Sequence, residues 1–505
     1  MLETARRSYP LIVGSPGQVE ADPDQVWRAF AGVVRTLART ARGAGRRVAG
    51  LACAISSEDV VFVDAAGQPV GPAVMALDTR SAEASTRWAS AVGSERISAI
   101  TGLPVHPAHP LVRLLWLRGS DARRYRKVRQ VLCWQGFVAQ RLGLPAVTDP
   151  SLAARTMAWD LHSGDWSTEL LDSAGVTADA FPAVRPSGSA IETIPDRGAR
   201  GLGLPRGAVF ALGGLDQAVA TLGAGFSRAG ESMIGTGSWE AVTALTDQAG
   251  GSAAAAGSAE LARSGISVGP FVVPGRSMAM ATQAGGGSLV GWLRELVAPR
   301  RSVGSLLAVA PDRVSGLLLL PHLEGSYSPW MDPASRAAIA GIGIGTTRGE
   351  LVRGVLESTT YELRLNLERL ATGGIGVDHL RNTGGGSRSR AWVQLKADVL
   401  ARPIGLVDVA ENAAFGAACL AGQAVGLFPA ASEAAGAFVR VTTTVEPRPA
   451  MTAAYEDAFA RYRELYPALR TARRTGRTQP RGRAGAALSG HRPARTGRPA
   501  PRSRR

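Results

Sequence analysis

"ESMIGTGSWEAVTAL", Glu231–Leu245, is the stretch on which the reading of this chain turns. Apolar Met233 and Ile234 lead into Gly-Thr-Gly at 235–237, and an apolar return runs from Ala241 to Leu245. Glycines at a tight turn between two apolar runs predict a β-hairpin. Such a turn offers backbone N–H groups in a concave arc that suits a phosphate. Proteins that clasp a phosphate-bearing ligand between two similar domains carry the hairpin once per domain, and this chain carries it once. Just upstream, "AVFALGGLDQAVATLGAG" (208–225) predicts a buried strand, a Gly-Gly break and a helix of small residues. A domain boundary falls in the connection 225–230.

A chain of 505 residues exceeds what one core organises, and 45% hydrophobic with 19% charged residues is ordinary for a globular protein. The longest aliphatic run, "LLLLP" at 317–321, is far short of the ~20 residues that span a bilayer. The opening "MLETARRSYPLIVGSPG" lacks the apolar core of a secretion signal. Cys53, Cys133 and Cys419 show neither disulfide nor metal spacing, which points to a reducing, cytoplasmic interior. The histidines never cluster with other ligand types, so no metal site is assigned. The net charge of +16 sits largely in residues 470–505, which hold twelve arginines and no acid. Without them the body is near +4 and has no basic-aromatic stripe, which argues against nucleic acid as a partner. The Arg/Pro/Gly-rich tail itself reads as disordered.

Along the first half, 22–45 predicts a helix capped by Asp22 or Asp24 and stopped by Gly43 or Gly45. Strands are expected at 48–56 and 59–70, and helices at 81–93, 110–119 and 128–142. Further helices are expected at 347–372, 388–401 and 411–426. Asp216 follows a strand and two glycines, at the end of the strand where α/β proteins bind ligands and where glycines let a substrate approach the backbone. Such a carboxylate is placed to take a proton from an attacking hydroxyl, or simply to cap the helix that begins at Gln217; the residues alone allow both. "NTGGGSRSRAWVQLKADVLARP" (382–403) and "QAGGGSLVGWL" (283–293) each put glycines and a serine at a helix start. There the positive helix end and its free donors suit a phosphate or a flat ring, although a plain turn has the same composition.

In this order and spacing the blocks resemble the FGGY family of carbohydrate kinases, which phosphorylate sugars and polyols such as xylulose, fuculose, gluconate and glycerol. The resemblance runs from about Ser8 to Leu469 and includes "PGQVEADPDQVW" (16–27), "GQPVGPAVMALDTRS" (67–81), "TGLPVHPAHPLVRLLWLR" (101–118) and "VTDPSLAARTMAWDL" (147–161). "LPHLEGSYSPWMDPASRAAIAGI" (320–342), "TRGELVRGVLESTTYEL" (347–363) and "ENAAFGAACLAG" (411–422) continue it. It implies an α/β fold of two ribonuclease-H-like domains, of the actin and Hsp70 type, with a cleft between them. The substrate-binding domain would be 1–225, the nucleotide-binding domain 226–469, and the tail 470–505.

The resemblance also assigns residues. Asp216 takes the place of the family's catalytic base and Gln217 that of a substrate contact beside it. Ser57 and Glu58 occupy the pair that is Met-His in xylulokinases and Arg-Glu in glycerol kinases. For ATP, Thr236 and Gly237 correspond to the second phosphate hairpin, Gly287 and Gly291 to nucleotide contacts, and Gly385 to the adenosine motif. Ser389 stands where some members place an asparagine against the adenine. Asp78 and Arg80 fall in a "DTR" segment with either a packing or a sugar-binding role. Tyr327 replaces a common arginine, and Gly354 a usual alanine or serine.

The expected activity is phosphorylation of a pentulose or related sugar by ATP with Mg2+, away from membranes, with a second copy of the chain left open as a partner. Family members begin with a strand, an Asp-x-Gly-Thr turn and a return strand, roughly 25 residues before the 16–27 block. That first-domain hairpin is expected ahead of Met1 in a longer product, or else the chain is a weak or inactive sugar- or nucleotide-binding relative.

Overall fold

The computed structural model describes residues 3–56, 58–247, 252–283 and 285–475. No helix among them is long and apolar enough to cross a membrane. The second half is built on a seven-stranded sheet. Its spatial order is Ser267–Pro270, Arg276–Gln283, Glu240–Asp247, Glu231–Thr236, His379–Thr383, Ile404–Val407, Val441–Val445. The hairpin expected from the sequence lies in the middle: Glu231–Thr236 pairs antiparallel with Glu240–Asp247 and parallel with His379–Thr383. The period of two in a strand sends its side chains to two layers. Met233 and Leu245 face a core containing Ala218, Val219, Ala417 and Leu420. Ile234, Val242 and Ala244 pack on the opposite side with Leu363, Val393 and Ala397.

That opposite layer holds the helices Arg348–Thr372 and Arg390–Leu400, with Pro449–Thr475 outside them. The last helix buries a stripe of Tyr455, Phe459, Tyr462 and Tyr466, at the three-to-four residue spacing of one helix face, against Tyr361 and Trp392. It therefore continues past the point where the unstructured tail was expected. Arg473, within that stretch, donates to Ala334 O at 2.6 Å and to Asp332 Oδ2 at 3.2 Å. Residues 476–505 lie outside the described residues.

In the first half the helix Pro23–Gly43 is capped by Asp22, whose Oδ1 accepts from Asp24 N at 2.9 Å. The strand expected over 48–56 is two short pieces, Gly50–Leu51 and Ala54–Ile55, parallel to Val209–Ala211 and Gly214–Leu215 respectively. Of the strand expected at 59–70, Val61–Val63 is regular and pairs with Gln130–Leu132. Residues 128–142, read as one helix, are that strand followed by the helix Trp134–Arg141. Val131 and Leu132 are buried, and partner strand Val61–Val63 captures the backbone that a helix would otherwise have used.

The halves meet where Asp216–Gly223 crosses Asn412–Ala424. A Cβ at Gly223 would stand 1.9 Å from Asn412 O, and one at Gly416 would stand 2.0 Å from Val219 O. The two backbones touch, and only glycine permits it. In an ordinary helix interior Gly→Ala gains about 1 kcal/mol. Here Gly416→Ala is expected to do the reverse and cost about 1–3 kcal/mol, because the added methyl must separate two helices. A urea-unfolding midpoint equal to or above that of the unsubstituted protein would contradict the close crossing.

Candidate functional site

The turn before Asp216 is held from behind. Gly213 N donates to Gln135 Oε1 at 2.8 Å, and Leu215 N donates to Ser151 Oγ at 2.9 Å. Ser151 Oγ donates in turn to buried Asp149 Oδ2, as does Ser187 Oγ at 2.9 Å. Burial lifts the Asp149 carboxyl to about 6 against the opposing effect of these hydroxyls. The two glycines serve this packing. A Cβ on Gly213 would stand 1.8 Å from Cys53 O, and one on Gly214 would stand 2.6 Å from a Val272 methyl. Close backbone approach by a substrate is not what they admit.

Asp216 opens its helix, and its Oδ1 accepts from Gln217 N at 2.6 Å. The capping position itself is Leu215, which has no side-chain acceptor. Asp216 lies on the wall of a cavity of about 700 Å³ between the two halves, together with Gln217, Glu58, Thr236, Gly237 and Asn412. Burial raises its carboxyl to about 6; the Gln217 N–H and Arg155 work against that rise, and Glu58 and Asp59 add to it. Gln217 Oε1 and Asn412 Oδ1, both on this lining, are buried acceptors without a partner among the described residues.

The first-half wall carries Glu58, Arg155, His106 and His109. Arg155 Nε donates to Glu58 Oε1 at 2.9 Å. His109 Nδ1 is 2.9 Å from Arg155 O. Behind the wall, fully buried Arg113 donates to Glu58 O and to Val74 O, and Asp59 accepts from Ala76 N at 2.7 Å and Trp134 Nε1 at 3.0 Å. Asp78 and Arg80 take the packing role. Asp78 Oδ2 accepts from Val19 N at 2.9 Å, Arg80 bridges Asp78 and Glu20, and neither lines the cavity. Ser57 lies outside the described residues.

Across the cavity stands the hairpin turn. The Thr236 side chain points away from it into the protein, donating to Glu240 Oε1 at 2.7 Å and accepting from Asn382 Nδ2 at 2.9 Å and from Lys396. Lys396 and Glu240 form an ion pair with no exposure at either side chain. Burial pulls the Lys396 ammonium below its ordinary range, opposed by Glu240. Gly237 and Ser238 of the turn line the cavity, and both are exposed. Glycine turns flank it: a Cβ on Gly286 would meet Gly237 O at 2.8 Å, and one on Gly384 would meet Thr236 O at 2.6 Å. Gly287 and Ser288 N–H groups close on Gly237 O and Ser238 O at 2.7 and 3.0 Å. Gly287, Gly291, Gly385 and Ser389 are outside the cavity lining. A Cβ on Gly291 or Gly385 would meet nothing within 4 Å, and Ser389 caps the helix Arg390–Leu400.

Sequence reasoning passed over Arg155, His106, His109, Lys396 and Asn412. Two left a trace: Arg155 interrupts an otherwise apolar stretch, and Lys396 is one of two lysines in the chain, one helical turn after Trp392 on a buried face.

Residues 1–223 match the N-terminal domain, and 233–425 the C-terminal domain, of the FGGY family of carbohydrate kinases. A glycerol kinase from Ralstonia pickettii is 30% identical over 457 residues, covering 86% of this chain and 87% of its own. A xylulose kinase from Bacillus subtilis is 24% identical over 470 residues, covering 92% and 91%. The crystal structure of a xylulose kinase from Rhodospirillum rubrum superposes with a TM-score of 0.82 at 26% identity, over 92% of this chain and 93% of that one.

The buried pair beneath the turn yields a stability test. Lys396→Met strands Glu240 without a cation and is expected to cost about 3–5 kcal/mol. Adding Glu240→Gln should recover part of that loss in chemical denaturation. A double variant no more stable than the single one would show that the two charges do not act as a pair.

Proposed function

The chain belongs to the FGGY family of carbohydrate kinases, and from that premise we propose that it transfers the terminal phosphoryl group of ATP to a hydroxyl of a pentulose or related sugar, with Asp216 as the base. The observation that carries this reading is the position of Asp216. It is a partly desolvated carboxylate in the cavity between the halves, which Gly237 and Ser238 of the glycine hairpin also line. A pKa of about 6 leaves it ionised at neutral pH and more basic than an ordinary carboxylate, which suits proton acceptance from an alcohol.

The acceptor hydroxyl lies against Asp216 and attacks the terminal phosphorus. Its proton passes to the carboxylate while the bond to the ADP oxygen breaks. Gln217, whose Oε1 has no partner among the described residues, accepts from a second sugar hydroxyl. Gly237 and Ser238 contribute backbone to the phosphate end, and the open surface above Gly291 and Gly385 leaves room for the adenosine. Holding both reactants between two lobes removes most of the orientational cost and keeps water from competing as acceptor. Among the described residues no group of three or more His, Cys, Asp or Glu side chains is arranged to hold a metal ion. Mg2+ enters as the counter-ion of the nucleotide phosphates, and no step here depends on a protein ligand to it.

Two outcomes are expected. Asp216→Asn keeps the size of the side chain and should leave ATP binding intact while lowering sugar-dependent ADP formation by at least roughly 10²–10⁴-fold. In the unsubstituted protein kcat/KM should fall as pH drops through about 6, where the raised Asp216 carboxyl takes up its proton and ceases to be a base. Undiminished turnover in the amide variant, or no acid limb in the profile, would remove the assignment. ADP formation with no acceptor from a sugar and polyol panel, with both ligands still bound, would identify a catalytically impaired relative instead.

A further inference from the structure

Apart from the Asp216 cavity, the described residues enclose a second pocket of about 310 Å³, between the turn at 327–332 and the last helix. Trp330 and Tyr466 form its aromatic wall, with ring centroids 4.4 Å apart. Asp332, Arg470 and Arg473 supply its charges, two positive against one negative. The two arginines stand three residues apart, on one face of the helix Pro449–Thr475. The negative charge is already answered. Asp332 Oδ2 accepts from Tyr466 Oη at 2.8 Å and from Arg473 Nη2 at 3.2 Å, and Oδ1 accepts from Ala334 N at 2.9 Å. Among the described residues the Arg470 guanidinium makes neither a hydrogen bond nor an ion pair. Arg473 uses two N–H groups, on Ala334 O and Asp332, of the five that a guanidinium carries. The pocket therefore has a net positive charge and a surplus of donors.

The same turn reaches the Asp216 cavity. Met331 lines both pockets. Tyr327 lines the cavity, with its ring 4.6 Å from that of Trp239, the residue after Ser238 in the glycine hairpin. Trp330 N and Met331 N both donate to Tyr327 O, at 2.9 and 2.8 Å, which closes these residues into one turn. Met331 is held at a φ of 46°, in the left-handed region that side chains seldom adopt. Its Sδ would stand 2.3 Å from a Cβ on Gly265, another residue of the cavity lining. Close packing of this kind passes a displacement from one side of a residue to the other.

We propose that this pocket is a second ligand site, for a small phosphate monoester or its phosphate group alone, and that its occupancy is felt in the Asp216 cavity through Met331. A phosphate carries the charge and the three terminal oxygens to accept from Arg470 and from the unused donors of Arg473. The organic part lies against Trp330, and the Asp332 carboxylate keeps the anion to the Arg470 side.

The test is calorimetry on the full chain with the Asp216 cavity occupied by a non-hydrolysable ATP analogue, titrating phenyl phosphate and, separately, inorganic phosphate. Phenyl phosphate should bind saturably. A hydrogen-bonding partner that is itself charged is worth about tenfold or more in affinity, so Arg470→Met should weaken binding by at least that much, and Arg470→Lys by less. Arg470 has no side-chain bond among the described residues to lose, and undiminished binding of the analogue reports that the variant is folded. Equal affinity for inorganic phosphate identifies the bare ion as sufficient, and weaker binding of it identifies an ester. Saturating phenyl phosphate should shift the affinity for the analogue at least about fivefold, with the reciprocal shift of equal size, and Arg470→Met should abolish both. No saturable binding, or binding unchanged in Arg470→Met, would overturn the site. Binding that Arg470→Met removes, with no shift in affinity for the analogue, would overturn the link through Met331.

Discussion

Everything at the site depends on how closely two helices cross. Asp216–Gly223 comes from the first half and Asn412–Ala424 from the second, and their backbones meet at Gly223 and Gly416 with no room for a methyl group. Because both helices begin at the cavity, a tight crossing brings Asp216, Gln217 and Asn412 to one lining. The small residues of this segment let the two backbones touch. Bulkier packing would hold the halves together too, but with the helix starts farther apart and the carboxylate displaced from the turn at 235–238.

A second constraint lies under the hairpin. In the turn at 235–238 the Thr236 side chain bonds inward to Glu240, Asn382 and Lys396. The network continues through Gln283, which donates to Glu240 Oε2 at 3.1 Å and accepts from Asn366 Nδ2 at 3.2 Å. Hydrogen-bonded polar groups in a dry interior hold one another in place, because each would be costly to leave unpaired. Its effect is to fix the turn above it, whose Gly237 and Ser238 line the cavity. The flanking glycine turns clamp that backbone from both sides.

The two walls thus differ in make-up. The hairpin wall is a turn held from below by a buried ion pair and its hydrogen bonds. The first-half wall lines the cavity with charged residues, Glu58 and Arg155, beside Asp216. The hydroxyl chain Asp149–Ser151–Leu215 holds the strand end that delivers Asp216.

Much of this could be read from residue order. The period-two runs of the hairpin, the capped helix at 23–43 and the strand, glycines and helix around Asp216 are local patterns, and local patterns survive without knowledge of the fold. The boundaries failed where a partner strand competed, as at Gln130–Leu132, and where a buried aromatic stripe carried the last helix into the arginine-rich tail. Within the site, the sequence by itself determined the kinds of group available: an acid at a strand end, a glycine turn, glycine-led helices. Only the tertiary structure decided that Thr236 turns inward, that Gly287 closes on the hairpin, and that Arg155, 97 residues away in sequence, answers Glu58. The physical reason is range. Turn and helix preferences act over a few residues, whereas pairing of buried charges is settled by which distant segments share a low-dielectric space.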